Sequence, residues 1–138
     1  MNILLDTDSL VALAKEDDSN HAKAARIYQK LKGRNPIFFL SPYTIAEAAT
    51  VLSYKYSHDR AKQFLKETRE NDLPVLDLEE NNDLADQWFL KQNKKGTSYF
   101  DCYNMALLER YKRQIDAIFS FDEIYKRNGF TLLEDLKS

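Results

Sequence analysis

Four carboxylates stand where a predicted strand or loop of this 138-residue chain turns into a helix. Such turns gather at one edge of an open parallel sheet, so residues far apart in the sequence can meet in one pocket. A buried carboxylate cluster is strongly disfavoured without a counter-cation, and Mg²⁺ or Mn²⁺ supplies that charge through hard oxygen ligands. The pattern therefore predicts a divalent-metal site with the ligands Asp6, Glu47, Asp101 and Asp122.

Each acid taken alone also fits a structural role. Asp6 can be a turn residue, Asp8 can cap the first helix, and Asp122 can cap the last one. The segments 44–47 (TIAE) and 98–101 (SYFD) have the form of a capping box, in which the acid reaches back to the helix start. At any single position, capping and chemistry remain equally good interpretations. The set favours chemistry, because the helices in these two segments are rich in Ala, Leu and Tyr and should begin near the sheet edge.

The elements that must position these acids alternate between strand and helix. Short apolar runs predict strands, and apolar residues at helical spacing between polar or Gly-containing breaks predict helices. This alternation implies right-handed crossovers and a mainly parallel sheet covered on both faces. We therefore expect an α/β fold that forms a single domain over residues 1–138. The predicted strands are 3–5, 37–40, 73–78, 115–121 and an edge strand 130–133, and the predicted helices cover 10–14, 24–31, 45–52, 60–69, 79–92, 98–111 and 122–128.

Charge and composition narrow the class of protein. The formal net charge of −2 argues against a broadly basic surface for nucleic acid, so any polyanion must be held locally. Cys102 is the only cysteine, which excludes an internal disulfide and a multi-cysteine zinc site. No apolar run is long enough to span a bilayer, and Met1 leads directly into a strand, so we expect a cytoplasmic protein. His21 and His58 lie in polar turns away from the acids and are expected to be surface residues, neither zinc ligands nor general bases.

Four segments, in order along nearly the whole chain, resemble the successive motifs of PIN-domain ribonucleases and most of all those of VapC-type toxins. They are ILLDTDSL at 3–10, IAEAA at 45–49, YFDC at 99–102 and FSFD at 119–122, with Gly129-Phe130 after the last. Asp8, within the first motif, stands where many relatives carry a small hydroxyl residue. The resemblance implies a three-layer α/β/α sandwich in which one or two Mg²⁺ or Mn²⁺ ions are bound by Asp6, Glu47, Asp101 and Asp122.

The resemblance also implies an activity and partners. A metal-activated water would cut single-stranded or loop RNA and leave 5′-phosphate and 3′-hydroxyl ends, without a protein nucleophile. A small antitoxin protein would bind across the acidic pocket, and the toxin would form a homodimer. Tyr54 and Tyr56 are candidates for these protein surfaces, although burial within one chain would explain them equally well.

Several polar residues are candidates for supporting roles. Thr7 and Ser120 stand beside acids and can orient the ligands or their waters, although ordinary turn bonding is an equal alternative. Asn104 lies one helical turn after Asp101 and can face the same pocket. For Ser9, turn bonding is the better interpretation.

RNA contacts are predicted from charge and aromatic character. Tyr43 and Tyr99 flank the helix starts that carry two of the acids, so they could stack on an unpaired base, with core packing as the safer alternative. Most lysines are expected to be solvated surface residues. The cationic candidates are Lys15, Lys94, Lys95, Arg110, Lys126 and Arg127.

Two other functions compete with the nuclease interpretation. The DTDS sequence that begins at Asp6 also resembles the start of haloacid-dehalogenase-type phosphatases, with Asp6 as nucleophile, Asp8 as acid/base and Ser41 in their second motif. Against it, the chain lacks a matching lysine motif and a Gly-rich flap, and Glu47 and Asp101 stay unexplained. The third hypothesis is an inactive module that binds RNA or a protein, with the acids serving only as caps.

Overall fold

A computed structural model describes residues 1–79 and 82–137 of the chain. Within these residues, three short strands are separated by helices. The strands are β1 (Asn2–Leu5), β2 (Ile37–Phe39) and β3 (Ala117–Phe119). The helices are α1 (Thr7–Ala14), α2 (His21–Gln29), α3 (Thr44–Lys55), α4 (His58–Asn71), α5 (Asp83–Lys91), α6 (Tyr99–Arg110) and α7 (Ile124–Arg127), followed by a 3₁₀ turn at Leu133–Asp135.

The three strands form a parallel sheet in the order β2-β1-β3, so the first strand lies at the centre. Ile3 of β1 pairs with Phe38 on one side and with Ala117 on the other. The predicted parallel sheet is thereby confirmed. The carboxyl ends of all three strands meet at one edge, where the chain continues into α1, α3 and α7.

Two predicted strands pair through a single residue each, so the predictions of full strands at 73–78 and 130–133 are wrong. Leu40 forms a parallel bridge with Val75, and Ile118 forms one with Leu132. Beside the first bridge, Pro74 has no amide hydrogen to extend a ladder. After the second bridge the chain turns at once into the 3₁₀ turn.

The predicted strand 115–121 is shorter than expected because its two ends bond elsewhere. The Ile115 amide donates to the Tyr111 carbonyl at 2.9 Å and closes a turn after α6. The Phe121 amide donates to the Asp8 carboxylate at 2.9 Å. Only Ala117–Phe119 is left to pair with β1.

Helices cover the sheet on both faces, as the three-layer prediction requires. Leu4 packs in a cluster with Met105 and Leu107 of α6, whereas Ile3 lies in a cluster on the opposite face with Ala12 of α1. Seven consecutive residues of α6, from Cys102 to Leu108, are buried. A helix that is buried all round must be covered on its outer side as well, and α5 packs there. The three-layer α/β/α class is confirmed.

The helix ends differ from the predictions in ways that matter for the site. Helix α1 begins at Thr7, directly after β1, rather than near residue 10. Part of the predicted helix 79–92, positions 80 and 81, lies outside the described residues, and the described helix there is α5. Helix α7 has four residues instead of the predicted 122–128. Among the described residues, no helix is long and apolar enough to cross a membrane.

Candidate active site

All four predicted ligands line one cavity of about 350 Å³. The cavity lies at the carboxyl edge of the sheet, where the first turns of α1, α3 and α6 and the loop after β3 come together. Its acidic residues are Asp6, Asp8, Asp18, Glu47, Asp101 and Asp122.

Asp6 is the most enclosed of the four, with 5% of its surface exposed. It caps α1, and its Oδ1 accepts hydrogen bonds from the Thr7 amide at 2.8 Å and the Asn104 side chain at 3.2 Å. Its Oδ2 accepts from the Ser120 hydroxyl at 2.8 Å, and the Tyr125 hydroxyl lies 3.1 Å away. Burial raises the pKa of Asp6 despite these donors, so the ionised form lacks compensation that a cation would supply.

Asp101 lies in the first turn of α6 and faces Asp6 across a shared tyrosine. The Tyr125 hydroxyl donates to Asp101 Oδ1 at 3.0 Å and also lies within bonding distance of Asp6. Burial, followed by the charge of Asp6, raises the pKa of Asp101 to about 7. The two carboxylates therefore oppose each other's ionisation when no cation lies near them.

Glu47 reaches across to the first helix. Its carboxylate accepts a hydrogen bond from the Thr7 hydroxyl, and α3 has no side-chain cap bond at its start. The capping-box interpretation of 44–47 is therefore wrong.

In the segment 98–101, Ser98 does cap α6 through the Phe100 amide at 3.1 Å, but the Asp101 carboxylate bonds to the Tyr125 hydroxyl instead of reaching back to the helix start.

Asp122 is the exposed member of the set and also caps the last helix. Its Oδ1 accepts from the Ile124 amide at 2.9 Å, as the structural interpretation predicts. Asp122 also lines the acid cavity. The role of these four acids as metal ligands stays a prediction.

Asp8 does not cap α1. Its Oδ2 accepts from the Phe121 amide at 2.9 Å and lies 3.2 Å from the Ser120 hydroxyl, so it ties the loop after β3 to α1. Its Oδ1 is buried without a hydrogen-bond partner. Burial, followed by the charge of Asp6, raises the pKa of Asp8 to about 7.

Thr7 and Ser120 make the acid contacts that one of their two interpretations predicts, and Ser120 also makes a turn bond by accepting from the Asp122 amide at 3.1 Å. Thr7 and Ser120 donate to the acids Glu47 and Asp6, and Asn104 donates to Asp6 and to the Tyr125 hydroxyl at 3.1 Å. Ser9 donates to backbone carbonyls, which is the turn bonding expected of it. Ser41 bonds to the Thr44 hydroxyl and does not line the acid cavity, which removes support for the phosphatase interpretation.

Sequence reasoning missed Tyr125 and a cluster of Asp18 and Lys55. Tyr125 is fully buried, and Asp18 accepts from the Tyr56 hydroxyl at 2.8 Å and the Lys55 ammonium at 3.2 Å. Burial alone would raise the pKa of Asp18, but the hydrogen bonds from Asn20, Tyr56 and Lys55 lower it below its ordinary value. Lys55 thereby becomes a fixed cation on the cavity wall. The sequence gives no signal for a pair whose members are 37 residues apart.

The acids fit a divalent cation by their chemistry, although they do not form a closed cage. In the part of the chain that the structure describes, no three His, Cys, Asp or Glu side chains form a group that could hold a metal ion directly. Mg²⁺ keeps several waters and is commonly bound by one or two carboxylates together with substrate phosphates. An open set of hard oxygen donors around the buried Asp6 matches that mode of binding.

Most other predicted contact residues lie outside the acid cavity. Lys15 forms an ion pair with Asp17, and Lys126 forms one with Asp135. Arg110 donates to the Leu78 carbonyl. A second cavity beside the acids is lined by Lys94, Lys95 and Arg127.

The predicted aromatic contacts are engaged within the chain. Tyr43 packs against Tyr103 and Phe100, and the Tyr99 hydroxyl donates to Asp86 at 2.5 Å. His21 is half-buried, with its ring 2.7 Å from the Ala12 carbonyl, while His58 is exposed, and neither lines the acid cavity. Tyr54 is 90% exposed, whereas the Tyr56 hydroxyl is held by Asp18.

Comparisons with known proteins identify the fold and the family of this chain. No curated protein sequence matches the chain. The crystal structure of VapC20 from Mycobacterium tuberculosis, described as a sarcin-ricin loop cleaving toxin, superposes with a TM-score of 0.74 at 22% sequence identity and covers 94% of this chain and 96% of its own. At that identity the likeness shows the fold. The family model of the PIN domain matches residues 3–131. The chain therefore belongs to the PIN-domain family.

Proposed function

We propose that this chain is a Mg²⁺- or Mn²⁺-dependent endoribonuclease that cuts single-stranded or loop RNA. The observation that carries the proposal is the buried Asp6 carboxylate, which accepts hydrogen bonds from Thr7, Asn104 and Ser120 and still has a raised pKa. A cation bound there by Asp6 and Asp101, with Glu47 and Asp122 at its sides, would remove that cost. Membership of the PIN-domain family supports the same chemistry.

The residues of the site have separable tasks in phosphodiester hydrolysis. When bound, a divalent cation lowers the pKa of a water and stabilises charge on the phosphoryl oxygens. Asp6 is fixed by Ser120 and Asn104, so its oxygens do not have to be ordered during the reaction. The Thr7 hydroxyl donates to Glu47 and holds its carboxylate in the cavity. No side chain has to act as a nucleophile, and the expected products carry 5′-phosphate and 3′-hydroxyl ends.

We further propose that the chain is the toxin of a toxin-antitoxin pair, acts in the cytoplasm as a homodimer, and forms one PIN domain over residues 1–138. The structural likeness to a toxin that cleaves the sarcin-ricin loop supports the toxin role. A small antitoxin protein would be the partner. The exposed Tyr54 on α3 is a candidate for a protein contact.

The test is cleavage of labelled single-stranded and structured RNAs with Mg²⁺ or Mn²⁺, with EDTA as one control. Asp101→Asn is the decisive variant, because Asn keeps the shape of the side chain but loses the charge that would bind metal. A circular dichroism spectrum checks that the variant is folded. Metal-dependent cutting by the wild-type chain that is lost in Asp101→Asn supports the proposal.

A phosphomonoester tested in parallel separates the competing functions. Phosphate release that survives Asp101→Asn but needs Asp6 would point to a phosphatase. Binding of RNA without any cleavage would point to an inactive module. Either result would overturn the proposed nuclease.

A further inference from the structure

A second cavity, of about 100 Å³, adjoins the acid cavity, and three cationic side chains line it together with two acids. Asp101 and Asp122 line both cavities and therefore form a common wall. On the far side of this wall the lining is cationic. The residues that supply the positive charge are Lys94, Lys95 and Arg127.

Three cations against two acids leave this cavity with an excess of positive charge. All three residues are exposed, and no ion pair among the described residues uses their side chains. Other cations of the chain, such as Lys15, do pair with acids. In a chain with a formal net charge of −2, three free cations around one small cavity form a local site for an anion.

The cationic pocket is held in place by contacts on both sides. The Thr97 hydroxyl donates to the Lys94 carbonyl at 2.7 Å and closes the loop that carries the two lysines. Gly96 in this loop has φ of +86°, a conformation that side-chain-bearing residues rarely adopt. The Gln92 amide donates to the Asn128 side chain at 3.1 Å and ties the start of the loop to the end of α7, next to Arg127.

We propose that this pocket binds an RNA phosphate that neighbours the scissile one, so that the backbone crosses the wall formed by Asp101 and Asp122. The inference rests on the proposed nuclease function and deepens it. Arginine and lysine are the usual phosphate-binding side chains, and such contacts fix the register of the strand without reading its sequence. Lys55, in the acid cavity on the other side of the wall, is placed to contact the backbone there.

The first arm of the test compares the double variant Lys94→Ala/Lys95→Ala with Lys62→Ala/Lys66→Ala. The control pair removes the same charge from exposed positions on α4 that line neither cavity. We expect the first pair of substitutions to lower kcat/KM for RNA about tenfold at low salt. The slope of log kcat/KM against log salt concentration should become shallower by about 0.7 for each phosphate that the pocket no longer neutralises. The control pair should behave like the wild-type chain. Equal behaviour of the two pairs would overturn the proposal.

The second arm uses RNA in which one phosphate at a time is replaced by a neutral methylphosphonate. A neutral linkage next to the cleaved bond should slow the wild-type chain as much as the lysine substitutions do, and should slow Lys94→Ala/Lys95→Ala no further. A 2′-deoxy substitution at the same nucleotide should have no effect, because the pocket binds phosphate only. If neutral linkages slow the variant and the wild-type chain equally at every position, the lysines do not contact phosphate and the proposal fails.

Failure of the proposed function has a different signature. In that case the wild-type chain cuts no RNA under any metal condition. Binding of labelled single-stranded RNA in EDTA, measured by fluorescence anisotropy, then tests whether the cationic pocket binds RNA, independently of cleavage. Weaker binding by Lys94→Ala/Lys95→Ala than by the control pair supports the phosphate site, and equal binding overturns it.

Discussion

The hydroxyl of Tyr125 lies 3.0 Å from a carboxylate oxygen of Asp101, although the two residues belong to different helices. The same hydroxyl lies 3.1 Å from Asp6 and accepts a hydrogen bond from Asn104. Burial and the two acids raise the pKa of Tyr125 well above its ordinary value, so it keeps its proton. A phenol has a single proton and can donate to one carboxylate at a time. A cation or a second proton is therefore needed to compensate the other carboxylate.

Replacing this hydroxyl should weaken metal binding more than it weakens the fold. In Tyr125→Phe, Asp6 and Asp101 lose the one proton donor that lies between them and Asn104 loses an acceptor. We therefore expect metal affinity to fall about 10- to 100-fold, as for other residues that orient ligands. Isothermal titration with Mn²⁺ measures the affinity, and thermal unfolding in EDTA measures stability. Tyr111→Phe is the matched control, because that hydroxyl donates only to the Asp77 carbonyl at the surface. Unchanged Mn²⁺ affinity in Tyr125→Phe would show that the acids do not depend on this hydroxyl.

The metal-free protein should lose stability as the pH rises from about 4 to about 7. Burial raises the pKa of Asp101 from 3.8 to about 7, so in this window the folded chain holds a proton that the unfolded chain has already released. As the pH rises, the folded chain loses this proton too, so the free energy of unfolding falls. The fall is complete above pH 7. Thermal unfolding in EDTA should show a falling midpoint, with a smaller fall in Asp101→Asn and with added Mn²⁺.

Asp18 provides the opposite trend as an internal control. Its pKa is lowered in the folded chain by hydrogen bonds that outweigh burial, so its contribution to stability is present above its unfolded pKa and lost below it. The stability difference between wild type and Asp18→Asn should therefore shrink as the pH falls below about 4. A parallel pH dependence for Asp18→Asn and Asp101→Asn would contradict the assignment of the two carboxyls.

Thr7→Val should reduce cleavage without unfolding the chain. Valine keeps the shape of threonine but cannot donate to Glu47, which would leave that carboxylate without its only described donor. We expect kcat to fall about tenfold or more, because ligand-orienting residues typically contribute that much. Thr7→Ser should restore activity, since serine supplies the same hydroxyl. Equal loss in the serine variant would mean that the methyl group, packed in the site, matters instead.

Lys55→Gln should raise KM for RNA and leave the metal requirement unchanged. The side chain lies on the wall of the acid cavity and is held by Asp18 at 3.2 Å. Because one cation fewer would face the RNA backbone, the salt dependence of kcat/KM should also become shallower by about 0.7. Lys62→Gln, on the neighbouring helix and outside the cavity, is the control. If kcat falls and KM does not change, Lys55 acts on the reacting phosphate rather than on the strand beside it.

The sequence was sufficient for the parts of the fold that depend on local pattern. The apolar run before Asp6 predicts the central strand, and the helical spacing around residues 98–111 predicts the buried helix that carries Asp101. It was insufficient for 73–78 and 130–133, because an apolar run shows that a segment is buried and not how many residues pair. The convergence of the acids followed from the predicted parallel sheet, because the carboxyl ends of parallel strands share one edge. The roles of Tyr125 and Lys55 did not, because each depends on a partner in another part of the chain.

The hydrogen bonds that hold Asp6 connect the start of the chain to its last fifth, since its partners Ser120 and Tyr125 lie 114 and 119 residues further on. Contacts of such long sequence separation form late in folding, because a large loop must close first. During translation β1 can pair with β2 early, but the acid pocket cannot be completed until the ribosome has passed residue 125. If the chain cuts RNA, it is therefore harmless to the ribosome and message that are producing it for almost the whole time of its synthesis.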